Sequence, residues 1–375
     1  MEDITATIER ALRAAGLDPT ARPMADASHV IARALRDAGL SPQAHTTPFS
    51  PMAPDLSLRL PAGAASAPQA RVFGRSAPER TDDARFTVHL HAQGKASRRY
   101  KLYVPASATG AAMPLIVMLH GCKQDPDDFA DGTRMNQLAE RHRFVVAYPA
   151  QSVGANGNNC WNWFHGAEQT RAGIEASLVA GITRSIADRV PIDERRVFVA
   201  GLSAGAAMAV ILGANYPEVF AGVAAHSGLP LGAAHDVASA FAAMQGRSGA
   251  ASDPRAARGN EQRAPARQAA VRTIVFHGDA DATVVAANGR AIVERALSAF
   301  AAERRIEFTA LRESGTAAGR SWTTTRHVDA QGRPHVESWL VHGAAHAWCG
   351  GSPSGSFTDA KGPDASAEIV RFFLQ

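Results

Sequence analysis

The pentapeptide Gly201-Leu202-Ser203-Ala204-Gly205 carries the most specific chemistry in this 375-residue chain. The run Val197-Phe198-Val199 ends at it, and an Ala-rich helical pattern, AAMAVILGAN, follows directly. A strand, a sharp turn and a helix, with serine at the apex, is the setting in which G-x-S-x-G presents a nucleophile. The turn forces Ser203 into a strained backbone conformation. Side chains at 201 or 205 would strike the neighbouring strand and helix. The amide of Ala204 then lies at a helix N-terminus, facing the place where an oxyanion would develop. Chance supplies G-x-S-x-G in a chain this long with a probability of roughly 0.1. The strand before it and the helix after it therefore carry the reading, and the chemistry implied is acyl transfer.

A serine is a poor nucleophile at its own pKa, so Ser203 needs a base, and the base needs an orienting acid. Where this elbow is used, the chain order is nucleophile, acid, histidine, which restricts the search to residues after 203. For the acid, Asp279 and Asp281 sit at the end of the strand in FHGDADATV. Asp281 lies deeper in the turn and is preferred, because Asp279 can instead hold the turn through its own backbone bonds. Among fourteen histidines, His346 follows the last strand on a Gly/Ala-rich loop and is the base by position. His342, at the strand's end, is the runner-up. His226 also ends a strand but precedes the acid, so the order is wrong. A second oxyanion amide is expected after the strand ending in His120-Gly121, which points to the N–H of Cys122 beside that of Ala204.

The elements that must position these groups alternate. RFTVHLH (85–91) and RRYKLYVP (98–105) read as a hairpin. PLIVMLH (114–120) and FVVAYP (144–149) read as buried parallel strands, with a helix around 135–143 between them. A polar loop spans 150–168 and holds Trp161, Trp163 and Phe164. A helix is expected over about 170–188, strands at 220–228 and 271–281, a helix at 287–302, strands near 306–311 and 335–342, and a last helix at 365–374. Residues 229–270 break the rhythm and read as an insertion. Alternating strands and helices imply an α/β fold, a mostly parallel central sheet with helices on both faces. Functional residues then belong at the carboxyl ends of the strands.

Residues 1–80 differ in character. IERALRAAGL at 8–17 recurs as IARALRDAGL at 31–40, identical at eight of ten positions. Each copy reads as a short amphipathic helix with Gly16 or Gly39 as its C-cap, and the Pro/Ala/Ser-rich stretch at 41–80 as a flexible linker. The chain is thus divided into an N-terminal helical extension and linker, 1–80, and a catalytic domain, 81–375. The hydrophobic fraction of 46% supports a large core, and no run of 18 apolar residues offers a membrane span. The net charge of +4 is carried by scattered arginines with acidic residues between them, which argues for a solvated surface rather than nucleic-acid binding. Cys122, Cys160 and Cys349 show no metal spacing, and no metal or cofactor is expected. Cys122 and Cys160 can either pair or remain free thiols. The N-terminus lacks a basic region followed by an apolar core, so no standard secretory signal is read and a cytoplasmic location is the expectation.

HGCKQDPDDFADGTRMNQLAE, NNCWNWF, GLSAG, HGDADATV and GAAHAWCGG, in that order, resemble the polyhydroxybutyrate (PHB) depolymerase family of α/β-hydrolase esterases over about residues 85–375. By that resemblance the fold is an α/β-hydrolase, the serine is Ser203, the aspartate of HG-x-x-D is Asp281, and the histidine of G-x-x-H-x-W is His346. Members of the family are often extracellular, and its relatives include feruloyl and acetylxylan esterases. The chain departs from the pattern at Ala206, where a second glycine is usual, and at Cys349, where a small residue such as serine is expected. The function implied is serine ester hydrolysis of polyhydroxyalkanoate-type polyesters or their oligomers through an acyl-enzyme. The alternatives are a soluble esterase for short-chain, acetyl or feruloyl-type esters and a non-catalytic binding protein with the hydrolase fold. Trp161, Trp163 and Trp348 fall on loops expected to rim the site, where they either contact substrate or pack the loops. Residues 1–40 read first as a packing appendage, with docking on an apolar granule surface as the alternative.

Overall fold

The computed structural model describes residues 85–108, 110–247 and 268–375. The chain divides into units Met1–Pro78 and Glu79–Gln375, and every described residue lies in the second. The helical repeat, the linker and the middle of the expected insertion lie outside the described residues.

Ten strands form one sheet: β1 (Phe86–Gln93), β2 (Ala96–Tyr103), β3 (Met113–Leu119), β4 (Val145–Pro149), β5 (Ile192–Leu202), β6 (Gly222–His226), β7 (Arg272–Gly278), β8 (Thr309–Ala317), β9 (Arg320–Val328) and β10 (Pro334–Val341). Their order is β1-β2-β4-β3-β5-β6-β7-β10-β9-β8. The strands from β4 to β10 in that order pair in parallel, and antiparallel strands close both edges. The mixed edges are the main difference from the expected βαβ alternation. β9 was not anticipated, because its polar run RSWTTTRHV carries no apolar alternation; it is held in the sheet by its backbone ladder with β8 and β10.

Among the described residues the helices are α1 (Pro126–Thr133), α2 (Met135–His142), α3 (Ile174–Ala187), α4 (Ala204–Asn215), α5 (Val237–Met244), α6 (Ala287–Arg304) and α7 (Ala365–Leu374). Helices α3, α4 and α6 cover one face of the sheet, over Leu115, Val117 and Val199. Helices α1, α2 and α7 cover the other, over Ile116, Met118 and Phe198. Successive residues of β3 and β5 therefore point into opposite cores, which is why these strands read as unbroken apolar runs rather than alternating ones. Helix α5 falls inside the expected insertion, yet Ala240 and Ala243 pack into the first core. Helix α1 is set by a local signal, Asp125, whose carboxylate accepts the amides of Asp127 and Asp128 ahead of Pro126 at the helix start. Among the described residues, no helix is long and apolar enough to cross a membrane.

Candidate active site

The parallel strands bring the ends of β3, β5, β6, β7 and β10 to a single edge of the sheet. At the end of β5, Ser203 caps α4 with φ 56° and ψ −118°, a left-handed backbone that costs a non-glycine residue about 1–3 kcal/mol. Its amide donates to the carbonyl of His226 at 2.9 Å, so β6 supports the turn. A methyl group on Gly205 would overlap the Leu119 carbonyl and lie 2.5 Å from that of His120, and one on Gly201 would lie 2.5 Å from the Gly205 oxygen. Both glycines are thus imposed by backbone crossing backbone. As the first residue of α4, Ala204 has an N–H with no intrahelical partner.

The turn after β7 carries two aspartates, and the loop after β10 carries two histidines. They sort into two pairs. His346 Nδ1 donates to Asp281 Oδ2 at 2.7 Å, with the aspartate side chain fully buried. Asp281 Oδ1 accepts the amides of Thr283 and Val284 at 3.0 and 2.8 Å. Burial pushes the Asp281 carboxyl pKa up, but the hydrogen bond and charge of His346 and the Val284 amide outweigh it, so the net shift is downward and the group is a carboxylate. His342 Nδ1 meets Asp279 Oδ2 at 2.8 Å, with both side chains 40% exposed, and its Nε2 meets Thr323 Oγ1 at 3.0 Å. Asp279 Oδ1 also accepts the Gly343 amide at 2.6 Å, so it ties its turn to the loop after β10 rather than closing the turn through its own neighbouring backbone, as an Asx residue would. His277, which sequence reasoning passed over, donates from Nε2 to the Val284 carbonyl at 2.7 Å and lies 3.6 Å from Asp281 Oδ2. Its place in the FHGDAD run was the available signal.

The loop after β3 lies against the elbow, as the contact between Gly205 and the Leu119 and His120 carbonyls requires. The amide of Cys122 has no acceptor among the described residues. A disulfide joins Cys122 to Cys160 and so ties this loop to the 150–168 loop. Beneath it lies a polar network that the sequence did not announce. Gln151 donates to the Cys160 carbonyl at 2.8 Å and bonds to Arg98 and Glu175, and Glu175 accepts the Asn162 amide at 2.8 Å. Arg98 and Glu175 are buried, with 3.7 Å between their charged atoms.

The three tryptophans expected at the rim are instead buried, at 0%, 6% and 1% exposure for Trp161, Trp163 and Trp348. The Trp161 indole N–H donates to the His120 carbonyl at 3.0 Å, and that of Trp348 to Ser366 Oγ at 3.0 Å. Each ring is large enough to complete a core while its polar edge finds an internal acceptor, so these loops fold inward around them. Phe357 is instead exposed, at φ 51°, and its carbonyl accepts the Trp348 amide at 2.8 Å.

Residues 98–318 match the family model described as Esterase PHB depolymerase. The chain belongs to this family. Among curated relatives it is 33% identical over 248 residues, 65% of this chain and 57% of the relative, to the poly(3-hydroxyalkanoate) depolymerase C of Paucimonas lemoignei. It is 37% identical over 134 residues, 35% of this chain and 44% of the relative, to feruloyl esterase B of Neurospora crassa. The chain spans about half the length of these curated relatives. The solved acetyl xylan esterase from Aspergillus awamori has the same fold, an α/β-hydrolase, with a TM-score of 0.54 at 19% identity, covering 74% of this chain and 94% of that one. The matched stretch of this member of the PHB depolymerase family holds Ser203, Asp281 and the Cys122–Cys160 disulfide but stops before His346. The place of His346 therefore rests on its bond to Asp281.

Proposed function

We propose that this chain is a serine carboxylic-ester hydrolase of polyhydroxyalkanoate-type polyesters or their oligomers, with Ser203, Asp281 and His346 as its catalytic residues. The carrying observation is the buried hydrogen bond from His346 Nδ1 to Asp281, two strands along the sheet from the strained Ser203 turn. Nδ1 is taken by Asp281, so Nε2 is the nitrogen left to remove the Ser203 proton. The serine oxygen attacks the ester carbonyl, and the amides of Cys122 and Ala204 receive the oxyanion. His346 then protonates the leaving alkoxide. Water, deprotonated by the same imidazole, releases the acyl group and restores Ser203. Asp281, held as a carboxylate, fixes the tautomer and favours the imidazolium formed in each step.

The polyester substrate is supported by the family and by the depolymerase relative. Phe357, exposed beside the segment that follows His346, is the apolar side chain this reading assigns to polymer contact. The feruloyl esterase relative favours a second reading, a hydrolase of small soluble esters. Clearing of a PHB suspension, measured beside turnover of p-nitrophenyl acyl esters of rising chain length, separates the two. Clearing that is abolished in Ser203→Ala supports the first, and aryl-ester turnover without clearing supports the second. If neither substrate is turned over and a serine-directed phosphonate leaves Ser203 unlabelled, the esterase reading fails.

A further inference from the structure

His226, the last residue of β6, has a place in this edge that the Ser–His–Asp scheme leaves unused. Its ring is 2% exposed and is stacked between Phe276, at 5.8 Å and 10°, and Trp348, at 5.1 Å and 24°. Its carbonyl accepts the Ser203 amide at 2.9 Å. Its Nε2 accepts the Cys349 amide at 3.1 Å, with the Cys349 sulfur 3.4 Å away. Nδ1 lies 3.3 Å from Ser227 Oγ. One residue thus grips the nucleophile's turn through its backbone and, through its ring, the chain three residues beyond His346.

We propose that His226 is a positioning residue, whose neutral imidazole holds the loop carrying His346 against the elbow carrying Ser203. The inference rests on the triad reading above. The loop from 342 to 349 is anchored on its other side by Asp279, which accepts the Gly343 amide, and by the Ala344 carbonyl, which accepts the Ala280 amide at 3.1 Å. Asp281 fixes the His346 ring in the middle. At the far end Trp348 and Cys349 pair with Thr358 and Asp359, the Trp348 amide donates to the Phe357 carbonyl and its indole to Ser366. Of these anchors, the bond from the Cys349 amide to the His226 ring is the one that reaches β6 beside the elbow. His226 is not itself a base, because its Nε2 lone pair is occupied by that amide. The groups facing it are His277, His346, Asp281 and Cys349. Burial first, then the charges of His277 and His346, push its pKa from 6.5 down to about 3, which keeps the ring neutral and Nε2 an acceptor. Burial likewise pushes the Cys349 thiol far up, so it stays protonated beside that ring.

The test compares His226→Phe, which keeps the stack and removes the acceptor, with His226→Gln, whose side-chain oxygen can restore it. Both are assayed well below their melting temperature on p-nitrophenyl butyrate, with active serines titrated by phosphonate. The expected result is a fall in kcat per titrated serine of about 10- to 100-fold in the Phe variant, since misplacing a catalytic group by about 1 Å costs on that order. KM should stay within about two-fold, and the Gln variant should recover most of kcat. Wild-type kcat per titrated serine in the Phe variant overturns the inference, and so do equal losses in Phe and Gln. If the Phe variant does not fold, Ser227→Ala decides, because it leaves the ring in place and frees its tautomer. A several-fold lower kcat there supports the inference, and an unchanged one overturns it. An inactive, unlabelled wild-type protein would instead sink the triad reading itself, a result these comparisons keep separate.

Discussion

Asp281 and Asp279 stand two residues apart on the turn after β7, yet only Asp281 carries its histidine into the interior. The His346–Asp281 pair is 12% and 0% exposed, whereas the His342–Asp279 pair is 40% exposed on both sides. Ion pairs open to solvent are worth about 0–1 kcal/mol, and their geometry is loosely held. Asp281→Asn should therefore lower kcat by about 10⁴-fold, the effect of holding a catalytic imidazole in the wrong tautomer. Asp279→Asn should change kcat less than about three-fold and cost about 1 kcal/mol of stability through the Gly343 amide. Steady-state kinetics on a soluble ester check both, and reversed effects would reassign the acid.

The disulfide closes a loop with a sequence separation of 38, for which chain entropy gives a stabilisation of about 4 kcal/mol. Reduction should lower Tm on the order of 10 °C. It should also lower kcat at temperatures where the protein is still folded, because the Cys122 amide is then held less firmly. Thiol counting in denaturant should find one reactive group per chain without reductant, that of Cys349, and three with it. Three without reductant would show that the bond does not form.

Gly205→Ala forces a methyl into the Leu119 and His120 carbonyls, whereas Gly154 has open space around it. The first substitution should destabilise by about 2–4 kcal/mol and abolish most activity by separating the two amides proposed to receive the oxyanion. Gly154→Ala should do neither. Urea unfolding and ester turnover on the two variants make the comparison.

Trp161 is fully buried and donates to the His120 carbonyl. Trp161→Ala should cost about 3–5 kcal/mol of stability, with polymer and short-ester KM values changing in parallel. Phe357→Ala should leave Tm nearly unchanged and raise KM for polymer or long esters more than for acetate esters. Melting curves and KM across acyl chain lengths distinguish a packing tryptophan from a contacting phenylalanine.

His226 gains its proton near 6.5 in the unfolded chain but only at about 3 in the folded one. Between those values the unfolded state binds more protons. Stability should therefore fall as pH drops from about 6.5 toward 3, by up to about 1.4 kcal/mol per pH unit for this group. Burial lowers the pKa of His120 and His277 as well and adds to the same trend. His226→Gln removes one such group and should flatten the curve. Denaturant titrations between pH 7 and 4 measure the slope, and an unchanged slope would show that His226 does not titrate in this way.

The order of the motifs along the chain carried the fold class, the elbow and the three residues proposed for catalysis, because each depends on local signals. A strand that ends in Gly-x-Ser-x-Gly, a turn rich in aspartate, and a glycine-rich loop after the last strand can all be read in one dimension. Parallel strands place their ends on a common edge, and chain order then suffices to gather Ser203, Asp281 and His346 there. Pairing and burial were not legible in this way, because they depend on what each side chain meets across the sheet. Which aspartate served His346 was settled by the turn geometry that buries Asp281 and leaves Asp279 in water. Whether Cys122 met Cys160 depended on two loops folding onto one another. The tryptophans read as a rim because they sat on polar loops, yet each ring had a core to fill and an internal acceptor for its N–H. His226 was set aside because of its place in the chain order. Only the packing of β6 between the elbow and the His346 loop shows what its ring touches.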